Sequence, residues 1–198
     1  MPKGFSDKER QIITERLIEH AKNFLVTHGI RKTSVEDLTR AAGISKGAFY
    51  LFYNSKEELF FEIMEGMDRE IRETVFGGDF VIPGMTPKES FKHKLREGLR
   101  FMEENPALGK FDNEDFMLLL RKLPEEKLAR HAQRDDEEFG ELVETWKSQG
   151  YLKPLPTGPI VTLIKSIFVL ALQRQEIGPG YPEMMELLLD MMAEYVVE

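Results

Sequence analysis

One stretch constrains the fold of this chain more than any other: Thr33 to Leu59, TSVEDLTRAAGISKGAFYLFYNSKEEL. Ser34 can cap a helix of about two turns, and Asp37 stands three residues on, where the acid of a capping box is expected. Gly43 follows that helix, and glycine readily adopts the left-handed conformation in which helices commonly end. Ser45 is a second potential N-cap. The pattern predicts two short helices joined by a tight glycine turn.

The outward face of the second helix is small and rich in hydrogen-bond donors where the helix begins. Lys46, Gly47 and Tyr50 lie on this face, opposite Ala48 and Phe49. A helix that enters the DNA major groove needs slim residues at its N-terminus, so that its backbone can approach the bases, and donors for base edges or phosphates. The pattern therefore predicts a reading helix. A helix-turn-helix hairpin inside an ordinary all-α core would have the same spacing.

A third helix is predicted to begin at Ser55, which forms the capping-box pattern S-x-x-E with Glu58. Lys56 lies in the first turn of this helix, where a cation meets the positive end of the helix dipole. That placement is unfavourable on its own, but a helix N-terminus also favours anions. We therefore expect Lys56 to face a bound phosphate. The apolar pattern continues as a long amphipathic helix to the break at Gly77-Gly78.

Taken in order, these motifs resemble the N-terminal DNA-binding domain of the TetR family of transcriptional regulators. The similarity covers Ser6 to about Met64, and the run TSVEDLTRAAGISKGAFY followed by NSKEEL carries it. The resemblance implies an all-α homodimer. It implies a three-helix helix-turn-helix DNA-binding domain at the N-terminus and a helical ligand-binding and dimerisation domain at the C-terminus. The apolar periodicity along the chain predicts about nine helices in total, with no convincing strand.

The resemblance also implies roles for individual residues. Ser34 and Tyr50 would contact phosphates, and Lys56 would grip the DNA backbone. The family often has His or Tyr followed by Phe where this chain has Phe52-Tyr53. The phosphate contact that a histidine offers is not available to Phe52, and Tyr53 is the candidate substitute. The predicted DNA-binding set is Ser34, Ser45, Lys46, Gly47, Tyr50, Leu51, Tyr53 and Lys56.

The charge of the chain is distributed unevenly. The formal net charge is −8, yet residues 1–53 hold nine Lys and Arg residues against six Asp and Glu residues, a net charge of +3. The remaining residues therefore carry −11. A basic N-terminal quarter would be attracted to a DNA duplex and an acidic remainder would be repelled by it. We predict a DNA-binding domain at residues 1–53 and a ligand-binding and dimerisation domain at residues 54–198.

The two helices predicted at the C-terminus, at about 159–176 and 182–197, are unusually apolar. They carry more apolar surface than one buried helix face needs, so a second buried face is expected. A two-fold homodimer would bury that face by packing both helices against their copies as a four-helix bundle. A deeply buried helix pair in a monomeric core is the alternative. Two reading helices about one DNA turn apart would require a palindromic operator.

Bulky apolar residues along the middle of the chain are candidates for an effector pocket. Methionine adapts its shape, which suits a pocket for varied apolar molecules. The same residues would also serve as an ordinary core, and the pocket is preferred because the resemblance implies one. Possible polar contacts are Arg96, Gln173 and Arg174. The pocket candidates are Phe60, Met64, Met67, Phe91, Met102, Phe116, Trp146 and Phe168.

Catalytic, metal and membrane functions find no support in the sequence. The chain has no cysteine, its four histidines (His20, His28, His93 and His131) lack the spacing of a metal pair, and no catalytic or phosphate-cradling motif is present. We expect no cofactor, no metal and no enzymatic activity. The N-terminus lacks the apolar core of a signal peptide, and the longest apolar run, residues 160–172, is too short to span a bilayer. A cytoplasmic protein is expected.

The sequence therefore predicts a ligand-responsive transcriptional regulator, most simply a repressor. It would bind a palindromic operator in double-stranded DNA as a homodimer, and a small, mostly apolar effector of unknown identity would release it. The alternative is an all-α small-molecule-binding or scaffolding protein that no longer binds DNA.

Overall fold

The described part of the chain is built from helices joined by turns. The computed structural model describes residues 5–105, 107 and 113–198, without the side chains of residues 74, 75, 113 and 116. The all-α fold class is confirmed, and within the described ranges the only β pairing is an isolated antiparallel bridge between Leu152 and Val197. The main helices are α1 (Asp7–Lys32), α2 (Val35–Ala42), α3 (Lys46–Phe49), α4 (Lys56–Ile71), α5 (Pro87–Glu104), α6 (Asn113–Lys122), α7 (Glu125–Ser148), α8 (Thr157–Leu172) and α9 (Tyr181–Val196).

The chain divides into two compact units. The N-terminal unit contains Met1–Asp68 and Asn105–Pro124, and the C-terminal unit contains Arg69–Glu104 and Glu125–Glu198. Helix α6 therefore returns to the N-terminal unit, which sequence periodicity alone did not indicate. The functional boundary between residues 53 and 54 stays a prediction.

Helix α1 supports the helix-turn-helix segment of the N-terminal unit. Its first turn is closed by a capping box, in which the Ser6 hydroxyl accepts a hydrogen bond from the Glu9 amide and the Glu9 carboxylate accepts one from the Ser6 amide. Leu17 and Leu25 on its buried face pack in the same core as Leu38 of α2. The regular helix is interrupted at Gly29, where φ is +74°.

The core of the C-terminal unit is a cluster of aromatic rings. Trp146 of α7 is 2% exposed, and its ring centroid lies 4.9 Å from that of Phe80 and 6.0 Å from that of Phe76. Phe91 of α5 and Phe139 of α7 complete the cluster, with edge-on contacts to Trp146 and Phe76 respectively. Offset and edge-on aromatic pairs of this kind add to the stabilisation that burial provides.

Three ion pairs join α5 to α9 on the surface of the C-terminal unit. Each basic residue lies one helical turn from the next, and the acidic residues on the antiparallel partner helix have the same spacing, so the pairs form a regular ladder. We call this set the α5–α9 ladder. It consists of Lys88 with Glu194 (2.7 Å), Lys92 with Asp190 (2.8 Å) and Arg96 with Glu186 (2.6 Å).

The end of α4 differs from the sequence expectation. A regular helix was predicted as far as Gly77-Gly78, but the last turn, Arg72–Phe76, is a π-helix. A Cβ atom at Gly77 would collide with the carbonyl of Glu73, so only glycine allows the chain to leave the helix along this path. No helix within the described residues combines the length and the apolar character that a bilayer crossing demands.

Candidate nucleic-acid interface

The N-terminus of α2 is held by the predicted capping box. The Ser34 hydroxyl accepts a hydrogen bond from the Asp37 amide at 3.1 Å, and the Asp37 carboxylate accepts one from the Ser34 amide at 3.2 Å. The same hydroxyl donates to the Asp37 carboxylate at 2.5 Å. These bonds lower the pKa of Asp37, with a smaller contribution from Arg40. The carboxylate therefore stays ionised at neutral pH and satisfies amides at the start of α2.

The turn between α2 and α3 has the predicted geometry. Gly43 has φ +72° and ψ +33°, the left-handed conformation, and Ser45 caps α3 by accepting a hydrogen bond from the Ala48 amide at 3.1 Å. Phe49 is fully buried and fixes the inner side of α3. Helix α3 itself has four residues. Backbone hydrogen bonds between residues three positions apart continue the chain from α3 as a tight turn to Phe52.

The outer side of this turn presents four of the predicted residues to solvent. Lys46 and Gly47 are exposed, Tyr50 is 49% exposed, and Leu51 is 59% exposed. An exposed leucine beside an exposed tyrosine is typical of a surface that contacts a partner. This surface, made of Lys46, Gly47, Tyr50 and Leu51, is called the reading tip below.

Lys46 is already engaged by an acidic residue. Its ammonium nitrogen lies 2.5 Å from a carboxylate oxygen of Glu36, and both side chains are more than half exposed. The hydrogen bond from Lys46 lowers the pKa of Glu36, and the Glu36 carboxylate raises the pKa of Lys46. The pair links α2 to the start of α3 across ten residues of sequence.

The start of α4 has the predicted N-cap. The Ser55 hydroxyl accepts a hydrogen bond from the Glu58 amide at 3.2 Å. The Glu58 carboxylate accepts hydrogen bonds from the backbone amide and the side-chain amide of Asn54, at 2.7 and 2.9 Å. Asn54 thus supplies two donors that the sequence pattern did not predict.

Lys56 has an internal role that the sequence did not predict. Its ammonium group donates to the backbone carbonyls of Ile30 and Thr33, at 2.8 and 2.7 Å, and approaches that of Arg31 at 3.4 Å. These carbonyls lie at the end of α1, where backbone acceptors have no partner in the helix. A cation at a helix C-terminus is favourable. The predicted phosphate contact of Lys56 would therefore compete with this capping interaction.

A cleft of about 360 Å³ brings several predicted DNA-binding residues together. Ser34, at the start of α2, Tyr50, at the reading tip, and Lys56, at the start of α4, all line it. Two helix N-termini, each with a positive dipole end, thus open towards one concave surface. The remaining residues of this phosphate cleft are Arg31, Lys32, Thr33, Val35, Asn54, Ser55 and Glu57.

Arg31, Lys32, Thr33 and Asn54 were absent from the predicted site. The two cations stood in the sequence directly before Thr33, and a basic pair before a helix N-cap is a signal that could have identified them. Thr33 is buried, and its hydroxyl donates to the Gly29 carbonyl at 2.8 Å. Asn54 was overlooked because its contact with Glu58 depends on the path of the turn before α4.

Tyr53 is placed where it cannot contact DNA, which corrects the prediction made for it. Its side chain is 6% exposed and packs against Phe49, with ring centroids 5.8 Å apart. Burial raises the pKa of the Tyr53 hydroxyl, with a smaller effect from Glu62. Phe52 is half-buried instead, with its ring 5.8 Å from that of Phe5 and the Arg10 guanidinium 4.9 Å from its centroid. The apolar pattern after α3 did not distinguish which of the two aromatic residues points inward.

The predicted pocket residues fall in both units. Phe60 and Met67 are buried on α4 of the N-terminal unit, and Met64 is half-buried there. In the C-terminal unit, Met102 is buried on α5. The aromatic cluster takes up the predicted residues Phe91 and Trp146, and Phe168 touches it through Phe76 at 6.2 Å. The side chain of Phe116 lies outside the described residues.

The residues predicted as polar contacts of the pocket lie outside the aromatic cluster. Arg96 is held by Glu186 in the α5–α9 ladder, and Gln173 and Arg174 are half-buried after the end of α8. The C-terminal unit does contain a cleft of about 290 Å³, lined by His93, Lys94 and other residues not predicted. Lys94 is buried and donates to the Gly77 carbonyl at 3.3 Å, and burial lowers its pKa.

Comparisons with known proteins point to the same segment. The family model described as "Bacterial regulatory proteins, tetR family" matches residues 17–63, which include the reading tip and every residue that lines the phosphate cleft. The chain is 28% identical over 153 residues to the uncharacterized HTH-type transcriptional regulator YfiR of Bacillus subtilis (strain 168), a match that covers 75% of this chain and 71% of that relative.

A second relative is matched over a shorter segment. The chain is 30% identical over 94 residues to the probable acrEF/envCD operon repressor of Escherichia coli (strain K12), covering 46% of this chain and 41% of the repressor. Two further Bacillus subtilis regulators, YwcC and YerO, are matched over 34% of their own length. These matches therefore concern part of each protein.

The whole fold is similar to solved structures. A TetR-family transcriptional regulator from Pectobacterium atrosepticum superposes with a TM-score of 0.68 at 19% identity, over 96% of this chain and 93% of that chain. At this identity the likeness concerns the fold. It extends the similarity beyond the helix-turn-helix to the C-terminal unit.

Proposed function

Because the chain belongs to the TetR family of bacterial transcriptional regulators, we propose that it is a repressor that binds a palindromic operator as a homodimer and is released by a small, mostly apolar effector. Its relatives are regulators of transcription and belong to a family of non-enzymes. The probable acrEF/envCD operon repressor among them supports repression as the direction of control.

The phosphate cleft is the observation that carries the DNA-binding part of the proposal. The capped N-termini of α2 and α4 both open into it beside Arg31, Lys32 and Tyr50. Backbone amides at a helix N-terminus and basic side chains are the groups that bind DNA phosphates most often. Phosphate contacts of this kind fix the register of the protein on the duplex and supply most of the affinity.

The reading tip supplies the sequence discrimination in this proposal. Lys46 can donate to guanine O6 or N7 in the major groove, Gly47 lets the backbone approach the bases, and Leu51 can meet a thymine methyl group. The Tyr50 ring lies edge-on to Phe49, with the ring centroids 5.5 Å apart, and its exposed side chain is available to a phosphate. All four residues of the reading tip reach solvent, as a groove contact requires.

The dimeric part of the proposal is supported by an apolar stripe on α9. Leu187, Met191 and Tyr195 are 61%, 59% and 64% exposed and recur at helical spacing, so they form one continuous stripe. On α8, Val169 and Leu163 are also exposed. A stripe of large apolar side chains in water is a typical mark of a protein interface, and a two-fold contact would pair α8 and α9 with their copies.

The effector part of the proposal requires a ligand with different affinities for two states of the dimer. A ligand that binds both states equally shifts nothing, however tightly it binds. The adaptable residue Met102 and the half-buried Phe168, both in the C-terminal unit, are retained as candidate contacts. The chemical identity of the effector is not specified by them.

A binding experiment with a selected operator tests the proposal. Wild-type protein would select its preferred duplex from a random DNA library, and a mobility shift would then compare Lys46→Ala and Tyr50→Ala with wild type. Each variant should weaken operator binding by about 5-fold to 150-fold, since each removes one contact of the reading tip. Lys122→Ala, which removes an exposed lysine from α6 of the same unit, is the matched control and should bind normally.

Two results would contradict the proposal. A wild-type protein that selects no sequence and binds no duplex at moderate salt would favour the alternative of an all-α binding or scaffolding protein. Unchanged affinity of both tip variants would remove the reading tip from the interface. Analytical ultracentrifugation gives an independent result, because a protein that stays monomeric cannot place two reading tips on one palindrome.

A further inference from the structure

The Glu36–Lys46 pair lies on the surface that the proposed function assigns to DNA, yet one of its members is acidic. Glu36 is exposed in the first turn of α2, and Lys46 is the first residue of α3. Their charged atoms are 2.5 Å apart. A carboxylate at this place repels phosphates and therefore lowers DNA affinity. Its presence here calls for a separate role.

The neighbouring acid has a structural use that Glu36 lacks. Asp37 holds both the hydroxyl and the amide of Ser34 and also meets Arg40 at 2.5 Å. The Glu36 carboxylate accepts a hydrogen bond from Lys46, which is the largest cause of its lowered pKa, and its own backbone amide contributes less. Both side chains of the pair are more than half exposed. Exposed ion pairs contribute little to folding, so stability gives no strong reason for Glu36 to be acidic.

We infer that Glu36 is a specificity-determining residue, which holds Lys46 until a DNA base offers the ammonium group a better-placed acceptor. The inference rests on the proposed function of the reading tip. It concerns a contact competition: when Lys46 donates into the major groove, the Glu36 carboxylate loses its closest cation and faces the duplex uncompensated.

The competition affects sequences unequally because the ion pair is broken only where the duplex offers Lys46 a better acceptor. At an operator, a guanine presents O6 and N7 to Lys46, and the new contact replaces the lost ion pair. On other DNA no acceptor is in reach, so Lys46 stays with Glu36 and contributes little to binding. The cost of breaking the pair therefore falls on the operator alone, and Glu36 sets how far operator affinity exceeds the affinity for other DNA.

The test compares two glutamates, of which Glu36 pairs with Lys46 of the reading tip and Glu57 lines the phosphate cleft. Glu36→Gln removes the competitor of Lys46, whereas Glu57→Gln removes an equal charge from the phosphate cleft without touching Lys46. Affinities would be measured for the operator selected by wild-type protein and for a shuffled duplex of the same composition, at one salt concentration.

The expected result is asymmetric. Glu36→Gln should raise affinity for the operator by about threefold, because an exposed ion pair no longer has to be broken, and should raise affinity for the shuffled duplex less. The ratio of operator affinity to shuffled affinity therefore rises. Glu57→Gln should raise both affinities alike and leave the ratio unchanged. Equal changes in the ratio for both variants, or none for Glu36→Gln, would overturn the inference.

A double variant shows whether the effect passes through the lysine. In a Lys46→Met background, Glu36→Gln should no longer change the ratio of affinities, because the competed donor is gone. An effect that persists in that background would mean that Glu36 acts by long-range charge alone, and the inference would fail.

A titration of the free protein separates this inference from the proposed function. The pKa of Glu36 is lowered chiefly by its hydrogen bond from Lys46, so carboxyl NMR should show it rising towards the ordinary value in Lys46→Met. If the pair is present but wild-type protein binds no DNA, the proposed function fails. If wild-type protein binds its operator and the pKa of Glu36 is the same in wild type and in Lys46→Met, the inference alone fails.

Discussion

The two units hold their candidate sites together in different ways. At the reading tip and phosphate cleft, the shaping contacts join residues three positions apart, such as Ser34 with Asp37 and Ser45 with Ala48. In the C-terminal unit, the contacts cross long stretches of sequence, as in Lys88 with Glu194, 106 positions apart. Local contacts can be read as a pattern, and distant contacts depend on the packing of whole helices. The chemistry of the N-terminal site is therefore much more visible in the sequence.

The two units also differ in what their buried groups do. Polar groups near the phosphate cleft satisfy helix ends, which keeps backbone amides and carbonyls in defined places. The C-terminal unit instead fills its centre with aromatic rings in edge-on contact. A filled core is stable but leaves little space, so any effector that enters there must displace or reorder side chains.

The largest expected effect tests whether the aromatic cluster is a core or a pocket. Trp146→Ala should destabilise the protein by about 3–5 kcal/mol, because it removes a large, buried ring and leaves a cavity among Phe76, Phe80 and Phe91. Urea unfolding would measure the change. Phe168→Ala, at a half-buried ring beside the cluster, should cost less. A loss below about 1 kcal/mol for Trp146→Ala would indicate existing space and revive the predicted pocket.

The next effect concerns Lys56, where structural and DNA-binding roles compete. Lys56→Met should destabilise the N-terminal unit by about 2 kcal/mol, because it removes a charged donor from the carbonyls of Ile30 and Thr33. Its effect on DNA binding should be uniform across sequences and should reduce the salt dependence.

Lys32→Ala is the matched control for that experiment, since Lys32 is an exposed lysine of the same cleft. It should reduce affinity and its salt dependence while leaving stability nearly unchanged. A stable Lys56→Met protein with weakened DNA binding would show that the lysine serves phosphates rather than the end of α1.

A smaller effect is expected at the turn between α2 and α3. Gly43→Ala should cost about 1–2 kcal/mol, since alanine is strained at a φ of +72°. No atom lies within 4 Å of a Cβ added there, so the cost is one of backbone conformation alone. Gly66→Ala, inside α4 and equally open, should instead stabilise by about 0.5–1 kcal/mol. Thermal unfolding of both variants would decide, and a neutral Gly43→Ala would contradict the left-handed turn.

The features that the sequence predicted correctly are those held by local contacts, and the features it missed depend on contacts between distant residues. The caps at Ser34 and Ser45 and the glycine turn were predicted correctly, since each rests on residues within one helical turn. The inward position of Tyr53 was missed because two adjacent aromatic residues satisfy the same helical pattern. Which of them is buried depends on packing against α1, and no local rule supplies that information.

Contacts between distant elements account for the remaining differences. The capping of α1 by Lys56 joins residues 26 and 23 positions apart, and the return of α6 to the N-terminal unit has no periodic signal. The pairing of Lys46 with Glu36 was likewise not predicted, because Lys46 was assigned to DNA and no sequence pattern placed Glu36 beside it. Helical periodicity identifies which face of a helix is apolar but not which other helix that face meets.

The smallest expected effect lies in the α5–α9 ladder, and it distinguishes exposed charge pairs from the buried core. Arg96→Leu should cost about 0.5 kcal/mol, because the pair with Glu186 is largely exposed and screened by salt.

The pKa of Glu186 is lowered mainly by its hydrogen bond from Arg96. A carboxylate whose pKa is lower in the folded state than in the unfolded state contributes its full stabilisation at pH values above the unfolded-state pKa. This contribution is lost as the pH falls below that value and through the folded-state pKa. Wild type and Arg96→Leu should therefore differ at neutral pH, where urea midpoints would be compared first. The difference should shrink as the pH falls below the ordinary glutamate value of 4.5, and it should also shrink at high salt. A difference that persists in acid and in high salt would mean that Arg96 stabilises through the packing of its aliphatic stem, and the ladder would then resemble the aromatic core more than the polar surface of the reading tip.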